Sequence, residues 1–373
     1  MISQVLYWWP FTAKPPLDKT RSAVNAARQK AHLARWADLF PEYLESETID
    51  FEDFWEPASE VLALLDQKVH VWLLDKEARR HPVGTTPVEP DGRQPTVVMG
   101  QFPALRQPRS PTPLAPWWSS YLDREPVWPD SGQIEQAIAY ALLPEFQQRA
   151  GRKLWLAGIP AADSGSPRFD RWIGGKADPD AISVAETLLE AHRQGLRKVF
   201  LKINLAKYQT KALALPDTLD RAGAERLVFD TLGFTIAHLE GFGNVVLVQE
   251  WVDLRKEYRC IVIDGRIVSG AGLIPAFTPL DRRTDDVWDR QVLGRQEDNE
   301  PVLMLLDTEW SQLQRFAEET AQAMAKRHGL RHYTLDLAFV GGSPCVVEVN
   351  PPYNFGLYAN DPARVTKAIL ALD

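Results

Sequence analysis

Three polar residues near the carboxyl-terminal end of the sequence lie in strand-like segments where apolar residues are expected. Asp336 is in YTLDLAFV, and Glu348 and Asn350 are in CVVEVNPP. Carboxylates are rarely buried without a charge partner or a metal ion. Residues i and i+2 of a strand share a face, so Glu348 and Asn350 point to the same side. Two carboxylates and an amide oxygen together are typical ligands of a hard cation such as Mg²⁺.

The side on which Asp336 lies depends on the turn that joins the two strands. With a three-residue loop at 341–343, Val340 pairs with Pro344, and Asp336 lies directly opposite Glu348. With an even number of loop residues, Asp336 faces the other side of the sheet. The two glycines of the loop favour three residues with one left-handed position, so we predict that the carboxylates form one cluster. An ordinary polar pair at a hairpin edge is the alternative interpretation.

Lys202 is a single cation in an apolar strand-like segment, VFLKIN (199–204). It shares a face with Asn204, and its neighbours Leu201 and Ile203 point the other way. A lysine in this position can bind a phosphate as a point charge. The alternative is a lysine that extends from a core strand into solvent.

Glu257 and Arg259 share one face of the segment KEYRCIVIDG, which ends in a two-residue turn signal, Asp264-Gly265. Counting back from this turn places Arg259 opposite Gly270, where the missing side chain would leave room for a ligand. A guanidinium can bind a carboxylate or a phosphoryl group with two hydrogen bonds. An ordinary Glu–Arg surface pair is the alternative.

The segment Gln249-Glu250-Trp251-Val252-Asp253 is a strand end followed by a linker. An adenine needs an apolar slot and exposed backbone donors and acceptors, and this kind of edge supplies both. A carboxylate just beyond the edge can accept hydrogen bonds from ribose hydroxyls. The segment is informative chiefly through its position between the lysine strand and the Glu–Arg hairpin.

An α+β framework is expected to position these residues. The hydrophobic periodicity and the turn signals predict strands and hairpins alternating with helices after residue 130. The predicted strands are 153–157, 199–204 and 244–252, the hairpins are 256–274 and 333–350, and the helices are 133–149, 181–194, 222–239, 309–328 and a last one from about 362.

The first 130 residues have a different character, rich in Trp and Pro. Pro cannot donate to a sheet ladder, so residues 82–129 are predicted to be an extended connection with one short strand at 95–99. A helix is predicted at 19–39, and residues 42–60 are interpreted as a solvated acidic face. The pairs Trp8-Trp9 and Trp117-Trp118 could form a binding platform, although such residues more often fill a small core.

Length, composition and missing motifs exclude several classes of protein. The chain has 373 residues and a formal net charge of −8, so general nucleic-acid binding is not expected. No apolar run reaches the ~18 residues of a membrane span, and the first residues lack the basic start of a secretory signal. We therefore expect a cytoplasmic protein. The P-loop, the dinucleotide fingerprint, H-E-x-x-H and G-x-S-x-G are absent, and the two cysteines and seven histidines have no ligand-like spacing.

The order of the segments resembles the ATP-grasp superfamily over about residues 150–373. The order is VFLKIN, a helix, VLVQEWVD, the hairpin KEYRCIVIDGRIVSGAG, a long helix and LDLAFVGGSPCVVEVNP. The tail NPPYNFGLYANDP is similar to a mostly bacterial and phage branch, akin to the cell-division-cycle ATP-grasp proteins. The resemblance implies an α+β ATP-grasp fold, with lobes at 131–253 and 254–373 gripping a nucleotide after an irregular region at 1–130.

The resemblance also implies roles for particular residues. Lys202 would contact the phosphates of ATP, and a basic residue of the first lobe would complement it. Lys176 is preferred for that role over Arg168 and Arg171. The remaining implied roles are adenine binding by residues 249–252, ribose binding by Asp253, nucleotide binding by Glu257, Mg²⁺ binding by Asp336, Glu348 and Asn350, and stabilisation of the transferring phosphoryl group by Arg259.

The sequence departs from the family at the flap over the phosphates. The usual glycine-rich segment is replaced by LAKYQTKALALPD (205–217). Lys207 and Lys211 could neutralise phosphates there, or the segment could be a solvated basic turn.

The activity implied by the resemblance is ATP-dependent ligation of a carboxylate to an amine through an acyl phosphate, with ADP as a product. The substrates would be small molecules or peptides. One alternative is an ATP-binding assembly factor that binds a protein partner through residues 1–130, and another is a small-molecule kinase.

Overall fold

The computed structural model describes residues 2–8, 30–31, 34–35, 51–74, 80–87, 91, 96–99, 144–158, 183–203, 210–238, 245–297, 300–350 and 356–372. Several predicted features lie outside these residues. They are Lys176, Arg168, Arg171, Lys207, Trp9, Trp117 and Trp118, most of the helix at 19–39, and residues 133–143.

The chain divides into two compact units. The first unit combines Met1–Gly132 with Leu254–Asp373, and the second is Gln133–Asp253. The second unit is therefore an insertion in the sequence of the first.

The described elements confirm the predicted α+β class. In chain order the strands are β1 (Gln4–Trp8), β2 (His70–Leu74), β3 (Arg80–Pro82), β4 (Thr96–Met99), β5 (Leu154–Gly158), β6 (Lys198–Ile203), β7 (Thr210–Ala214), β8 (Val245–Glu250), β9 (Arg255–Ile263), β10 (Arg266–Gly272), β11 (Gln291–Leu293), β12 (Val302–Met304), β13 (Tyr333–Val340) and β14 (Ser343–Asn350). The helices are α1 (Phe51–Asp66), α2 (Pro144–Arg149), α3 (Val184–Arg193), α4 (Arg221–His238), α5 (Asp307–His328) and α6 (Pro362–Leu370).

A four-stranded sheet in the order β3-β2-β1-β4 opens the first unit. Strand β1 pairs in parallel with β2 and β4, and α1 lies between β1 and β2 in the chain. Strand β4 confirms the strand predicted at 95–99. The other three strands and α1 were not predicted, because QVLYW and HVWLL are short, continuous apolar runs with no strand period.

The interpretation of residues 42–60 as a solvated acidic face is wrong for its last part. Residues 51–60 belong to α1, and Glu56 and Glu60 are buried. Each has a specific donor, since Glu60 accepts a hydrogen bond from the Tyr7 hydroxyl and Glu56 accepts one from the backbone of Tyr358. Charge counting along the sequence cannot reveal such partners.

The second sheet of the first unit is antiparallel, in the order β10-β9-β13-β14. The predicted Asp264-Gly265 turn joins β9 to β10, with positive φ at both residues (53° and 69°). Helix α5 ends at Gly329, which is left-handed (φ 69°). Both hairpins and both helices were predicted.

One hydrophobic core joins the N-terminal sheet to the C-terminal part of the first unit. Large side chains of β1, α1 and β2 lie in the same cluster as residues of β9 and α6. Members of this cluster are Val5, Leu6, Trp55, Leu62, Val71, Trp72, Ile261, Ile263, Leu357, Val365 and Ile369.

The second unit has its own antiparallel sheet, in the order β5-β8-β6-β7. Helices α3 and α4 cover one face of it, where Leu188 packs with Val199, Leu201 and Val248. Helix α3 begins after Ser183, whose side chain accepts a hydrogen bond from the backbone of the third helical residue. The predicted strands of this unit are confirmed.

Among the described residues, no helix is both long enough and apolar enough to cross a membrane.

Candidate active site

Three residues predicted for the site lie side by side on neighbouring strands. Arg259 of β9 is directly opposite Asp336 of β13, and Asp336 is directly opposite Glu348 of β14. Directly opposed residues of a sheet share a face. We call Arg259, Asp336 and Glu348 the Arg259 row. The predicted clustering of the two carboxylates is therefore observed.

The loop predicted to produce this clustering is wrong. Val340 pairs with Ser343, so the turn has two residues, Gly341 and Gly342, with positive φ at both (57° and 84°). Two consecutive left-handed positions are the requirement of a tight hairpin turn and suit two glycines.

A β-bulge restores the predicted alignment. Leu337 pairs with Val346, and Asp336 pairs with Glu348, so Val347 is the extra residue of β14. A bulge adds one residue to one strand and shifts all later pairs by one. The shorter loop and the bulge therefore cancel, and Asp336 still faces Glu348.

The residue predicted to lie opposite Arg259 is also off by one. The pairing changes register between Ile267 and Ser269, so Arg259 is opposite Ala271. The physical reason is again a bulge, which residue types alone do not reveal.

Gly270 has a packing role. A Cβ at this position would lie 2.7 Å from the Trp288 side chain and 2.9 Å from the Tyr258 ring. The glycine therefore accommodates two aromatic side chains, and it does not leave the ligand space that we predicted.

The Arg259 guanidinium is held from three directions. Nε and Nη2 donate to the two carboxylate oxygens of Asp336 at 2.7 and 2.6 Å, and Nη1 donates to the Gly356 carbonyl at 3.1 Å. The guanidinium carbon lies 5.2 Å from the centre of the Tyr358 ring. The side chains of Arg259 and Asp336 are only 8% and 3% exposed. Burial lowers the pKa of the guanidinium, but Asp336 raises the pKa by more, so Arg259 stays charged.

Asn350 connects the two carboxylates. Its Nδ2 donates to Glu348 Oε1 at 2.8 Å and to Asp336 Oδ2 at 3.2 Å. Asn350 would have to turn its amide to present Oδ1 to a cation between the carboxylates. Glu348 is only partly buried, so its carboxylate is accessible.

The donor set of this cluster fits Mg²⁺. All candidate ligands are oxygens, and two carboxylates with one guanidinium leave one net negative charge. Mg²⁺ usually keeps several waters and binds one or two carboxylates together with phosphates. Within the described residues there is no group of three or more His, Cys, Asp or Glu that could hold a metal ion. The amide oxygen or ligand oxygens would have to complete the coordination.

Lys202 lies in the second unit on the sheet face opposite the helices. It is directly opposite Leu247, and the next pair along is Phe200 with Gln249. Leu201 points into the core beneath α3 and α4. Lys202 and Gln249 therefore share a face, and Lys202 is partly buried there.

The predicted adenine edge keeps only part of its backbone available. The N–H of Glu250 donates to the Lys153 carbonyl at 2.9 Å, and the N–H of Trp251 donates to the Lys198 carbonyl at 3.3 Å. The Lys198 ammonium lies 3.9 Å from the centre of the Trp251 ring. The backbone groups of Glu250 and Trp251 are thus partly used within the sheet.

The other members of this segment differ in burial. Gln249 is buried, and its side chain accepts a hydrogen bond from Arg152 Nε at 2.8 Å. Val252 and Asp253 follow β8 in irregular backbone and are partly buried. Glu257 is partly buried in β9, and its carbonyl accepts a hydrogen bond from Leu273 at 3.0 Å.

The structure assigns part of the predicted flap segment to a strand. Lys211 lies in β7, opposite Leu201, and its side chain is exposed. It is therefore not a loop residue.

The sequence analysis missed three residues around Arg259, namely Gly356, Tyr358 and Glu56. The segment NFGLYANDP was noted only for its resemblance. Nothing in the sequence links it to Glu56, which is 302 residues away from Tyr358.

Comparison with known proteins identifies similar domains. A family described as an ATP-grasp domain, the second family of its clade, matches residues 224–368. This range contains the Arg259 row, Asn350 and the segment 249–253, whereas Lys202 precedes it. No curated protein matches the sequence.

Solved structures with a similar fold include three ATP-grasp or ligase proteins. A RimK domain ATP-grasp protein from Sphaerobacter thermophilus is 12% identical, with 88% of this chain and 98% of that chain covered and a TM-score of 0.44. The D-cycloserine synthetase DcsG is 15% identical, with 98% of both chains covered and a TM-score of 0.43. Phosphoribosylamine–glycine ligase from Thermotoga maritima is 11% identical, with 93% and 68% covered and a TM-score of 0.44.

Proposed function

We propose, since this chain belongs to the ATP-grasp superfamily, that it is an ATP-dependent ligase that joins a carboxylate to an amine and releases ADP. The observation that carries the proposal is the Arg259 row, which places a buried guanidinium beside two carboxylates within the family-matched residues. Such a set suits chemistry on phosphoryl and carboxylate oxygens.

The proposed reaction has two steps. A carboxylate oxygen of the acid bonds to the γ-phosphorus of ATP, and the bond from this phosphorus to the β–γ bridging oxygen breaks, which releases ADP. The amine nitrogen then bonds to the acyl carbon, phosphate leaves, and the nitrogen loses a proton. Both steps depend on positioning and charge neutralisation more than on a protein nucleophile.

Arg259 is proposed to stabilise the transferring phosphoryl group. A guanidinium has five N–H donors. Among the described residues, Asp336 and the Gly356 carbonyl accept three of them, so two remain for phosphoryl oxygens. Asp336 fixes the orientation of the guanidinium through its two-point contact.

Mg²⁺ would supply neutralisation of phosphate charge when bound. Asp336, Glu348 and Asn350 are the residues proposed to hold it. Their oxygens form the donor set that hard cations prefer.

The remaining contacts with the nucleotide are also proposals. Lys202 would bind phosphates from the face that it shares with Gln249. The other proposed nucleotide contacts are Lys176, Gln249, Glu250, Trp251, Val252, Asp253 and Glu257.

The first test measures nucleotide binding by thermal shift, with and without Mg²⁺. A ligand at 100 times its Kd stabilises the folded state by about 3 kcal/mol. Wild type should be stabilised by ATP with Mg²⁺. Lys202→Ala and Glu348→Ala should lose this shift and all nucleotide-dependent turnover while remaining folded. Glu225→Ala, which removes an exposed carboxylate of α4, is the control. Full Mg·ATP affinity and activity in Glu348→Ala would show that the metal assignment is wrong.

The second test identifies the reaction products in mixtures of candidate acids and amines. ADP release that requires both an acid and an amine supports the ligase. ADP release with a stable phosphorylated product and no need for an amine would indicate a kinase. AMP as product would contradict both.

A second candidate function is an ATP-binding assembly factor. The observation that favours it is β12, whose residues are all exposed although all three are apolar. Leu306, which follows, is 64% exposed. Capture of a partner protein in the presence of ATP, without turnover on any acid and amine, would support this function over the ligase.

A further inference from the structure

We propose that Glu56 of α1 is a positioning residue for Arg259 and that it acts through the turn at residues 356–360. The inference rests on the proposed role of Arg259 in phosphoryl transfer. It assigns to the N-terminal helix a role in aligning the guanidinium.

Glu56 holds the turn by a direct hydrogen bond. Its Oε1 accepts the backbone N–H of Tyr358 at 2.6 Å, and Glu56 is only 7% exposed. Tyr358 has a left-handed backbone, with φ of 48°. A non-glycine residue adopts this conformation only when its surroundings hold it there. The carboxylate of Glu56 is one such constraint.

The same turn contacts Arg259 on two sides. The Tyr358 ring lies beside the guanidinium, and the Gly356 carbonyl accepts a hydrogen bond from Nη1. A Cβ at Gly356 would lie 3.3 Å from Arg259 Nη1 and 3.2 Å from the Tyr358 ring. The turn therefore fits the guanidinium closely, and a displaced turn would change both contacts.

These contacts decide where the remaining donors of Arg259 point. Asp336 binds the edge formed by Nε and Nη2. The ring and the Gly356 carbonyl fix the plane of the guanidinium and the position of Nη1. The two donors left for a phosphoryl group are therefore aimed by the turn as well as by Asp336.

Helix α1 is a firm support for Glu56. Trp55 and Ala58 are fully buried in the core of the first unit. One turn further along, Glu60 is buried and accepts a hydrogen bond from the Tyr7 hydroxyl of β1. Glu60 thus offers a matched control, because it is a buried carboxylate of the same helix that does not contact the 356–360 turn in any described hydrogen bond.

The test compares binding of Mg·ADP alone with binding of Mg·ADP plus aluminium fluoride, which mimics a transferring phosphoryl group. Misplacement of a catalytic group by about 1 Å can reduce transition-state binding by ~100-fold. In wild type, fluoride should tighten ADP binding. Glu56→Ala should lose about 10- to 100-fold of that gain, with the affinity for Mg·ADP alone unchanged.

Conservative and control variants separate positioning from stability. Glu56→Gln keeps an oxygen acceptor for the Tyr358 N–H and should retain the gain. Glu60→Gln should also retain it. Tyr358→Gly accepts a positive φ without strain but lacks the ring, so it should lose the gain even if Glu56→Ala fails to fold. Arg259→Lys should lose it as well, and adding Glu56→Ala should cause no further loss.

The outcomes distinguish the inference from the function on which it rests. If wild type and Arg259→Lys bind ADP equally with or without aluminium fluoride, the phosphoryl-transfer function is overturned. If Arg259→Lys loses the gain while folded Glu56→Ala or Tyr358→Gly keeps it, the inference alone is overturned. An equal loss in Glu60→Gln would also overturn it, because the effect would then reflect general weakening of α1.

Discussion

Thr334 carries a buried hydroxyl that has no hydrogen-bond partner among the described residues. It is fully buried and lies directly opposite Asn350, two residues before Asp336. A buried hydroxyl without a partner keeps its desolvation penalty, typically about 1–3 kcal/mol. Thr334 is therefore a place where the site reduces the stability of the fold.

We expect Thr334→Val to raise the free energy of unfolding by about 1 kcal/mol, because it removes the hydroxyl and preserves the shape. Urea unfolding would measure the change. Thr320→Val is the control, since the Thr320 hydroxyl donates to the Phe316 carbonyl at 2.7 Å and its loss should reduce stability. A destabilised Thr334→Val would show that the hydroxyl has a partner.

The sequence made the individual residues of the Arg259 row predictable. Asp336, Glu348 and Arg259 stood out because charged side chains interrupt apolar strands, and such interruptions need partners. Their partners were less predictable. Gly356 and Tyr358 contribute a carbonyl and a ring face, which are contacts that leave no signature in residue type.

At the scale of elements, the β13–β14 hairpin depends on two compensating irregularities, the two-residue turn and the bulge at Val347. The period of the strands predicted both strands. The pairing was predicted through an incorrect loop, since the residue pattern encodes neither irregularity.

The turn itself provides a prediction. Gly341 and Gly342 are both left-handed, and a Cβ at either position would have nothing within 4 Å. Asn tolerates the left-handed region, so Gly341→Asn should leave stability unchanged or raise it by a few tenths of a kcal/mol. Gly342→Val should lower it by about 1–2 kcal/mol, because a β-branched residue is strained there. Thermal unfolding of both variants would check this, and equal effects would contradict the turn geometry.

The contact between α1 and β1 predicts a pH dependence of stability. Burial raises the pKa of Glu60 to about 7, with Glu56 raising it further and the Tyr7 hydrogen bond lowering it. The folded state therefore binds a proton more tightly than the unfolded state does. This contribution to stability is complete below about pH 4.5 and is lost as the pH rises through about 7.

Glu60→Gln should remove most of this dependence, which amounts to about 3 kcal/mol. Gln keeps an acceptor for Tyr7 and never ionises, so the variant should gain stability over wild type as the pH rises from 5 to 8. Urea unfolding across this range, with the exposed Glu225→Gln as control, would measure it. Parallel curves for wild type and Glu60→Gln would contradict the raised pKa.

At the scale of the whole molecule, the family match confirms the predicted ATP-grasp superfamily and the α+β ATP-grasp fold. The association of the N-terminal sheet with the C-terminal part of the first unit was not predicted. Such packing joins residues more than 200 positions apart, such as Trp55 and Ile261. A local period identifies a buried face, but it does not say which distant segment covers that face.

A truncated chain of residues 131–373 should therefore lose the structure of the first unit. It lacks Val5, Trp55 and Trp72, and each large buried side chain contributes about 1.5–3 kcal/mol. Hydrogen exchange should show fast exchange in β9, β10, β13 and β14. The amides of β6 and β8 should stay protected, because the second unit has its own core. Protection of both sheets would contradict a shared core in the first unit.

The insertion of the second unit within the first also sets an order of events during translation. Strands β1 and β2 leave the ribosome early, yet the segments that complete their core follow only after about 180 further residues. At a synthesis rate of about 5–20 residues per second, this delay is roughly 10–40 s. The second unit can fold during that interval, while Trp55 and Trp72 remain without their final neighbours. Nascent chains paused before residue 254 would thus be natural clients for chaperones that recognise exposed aromatic side chains.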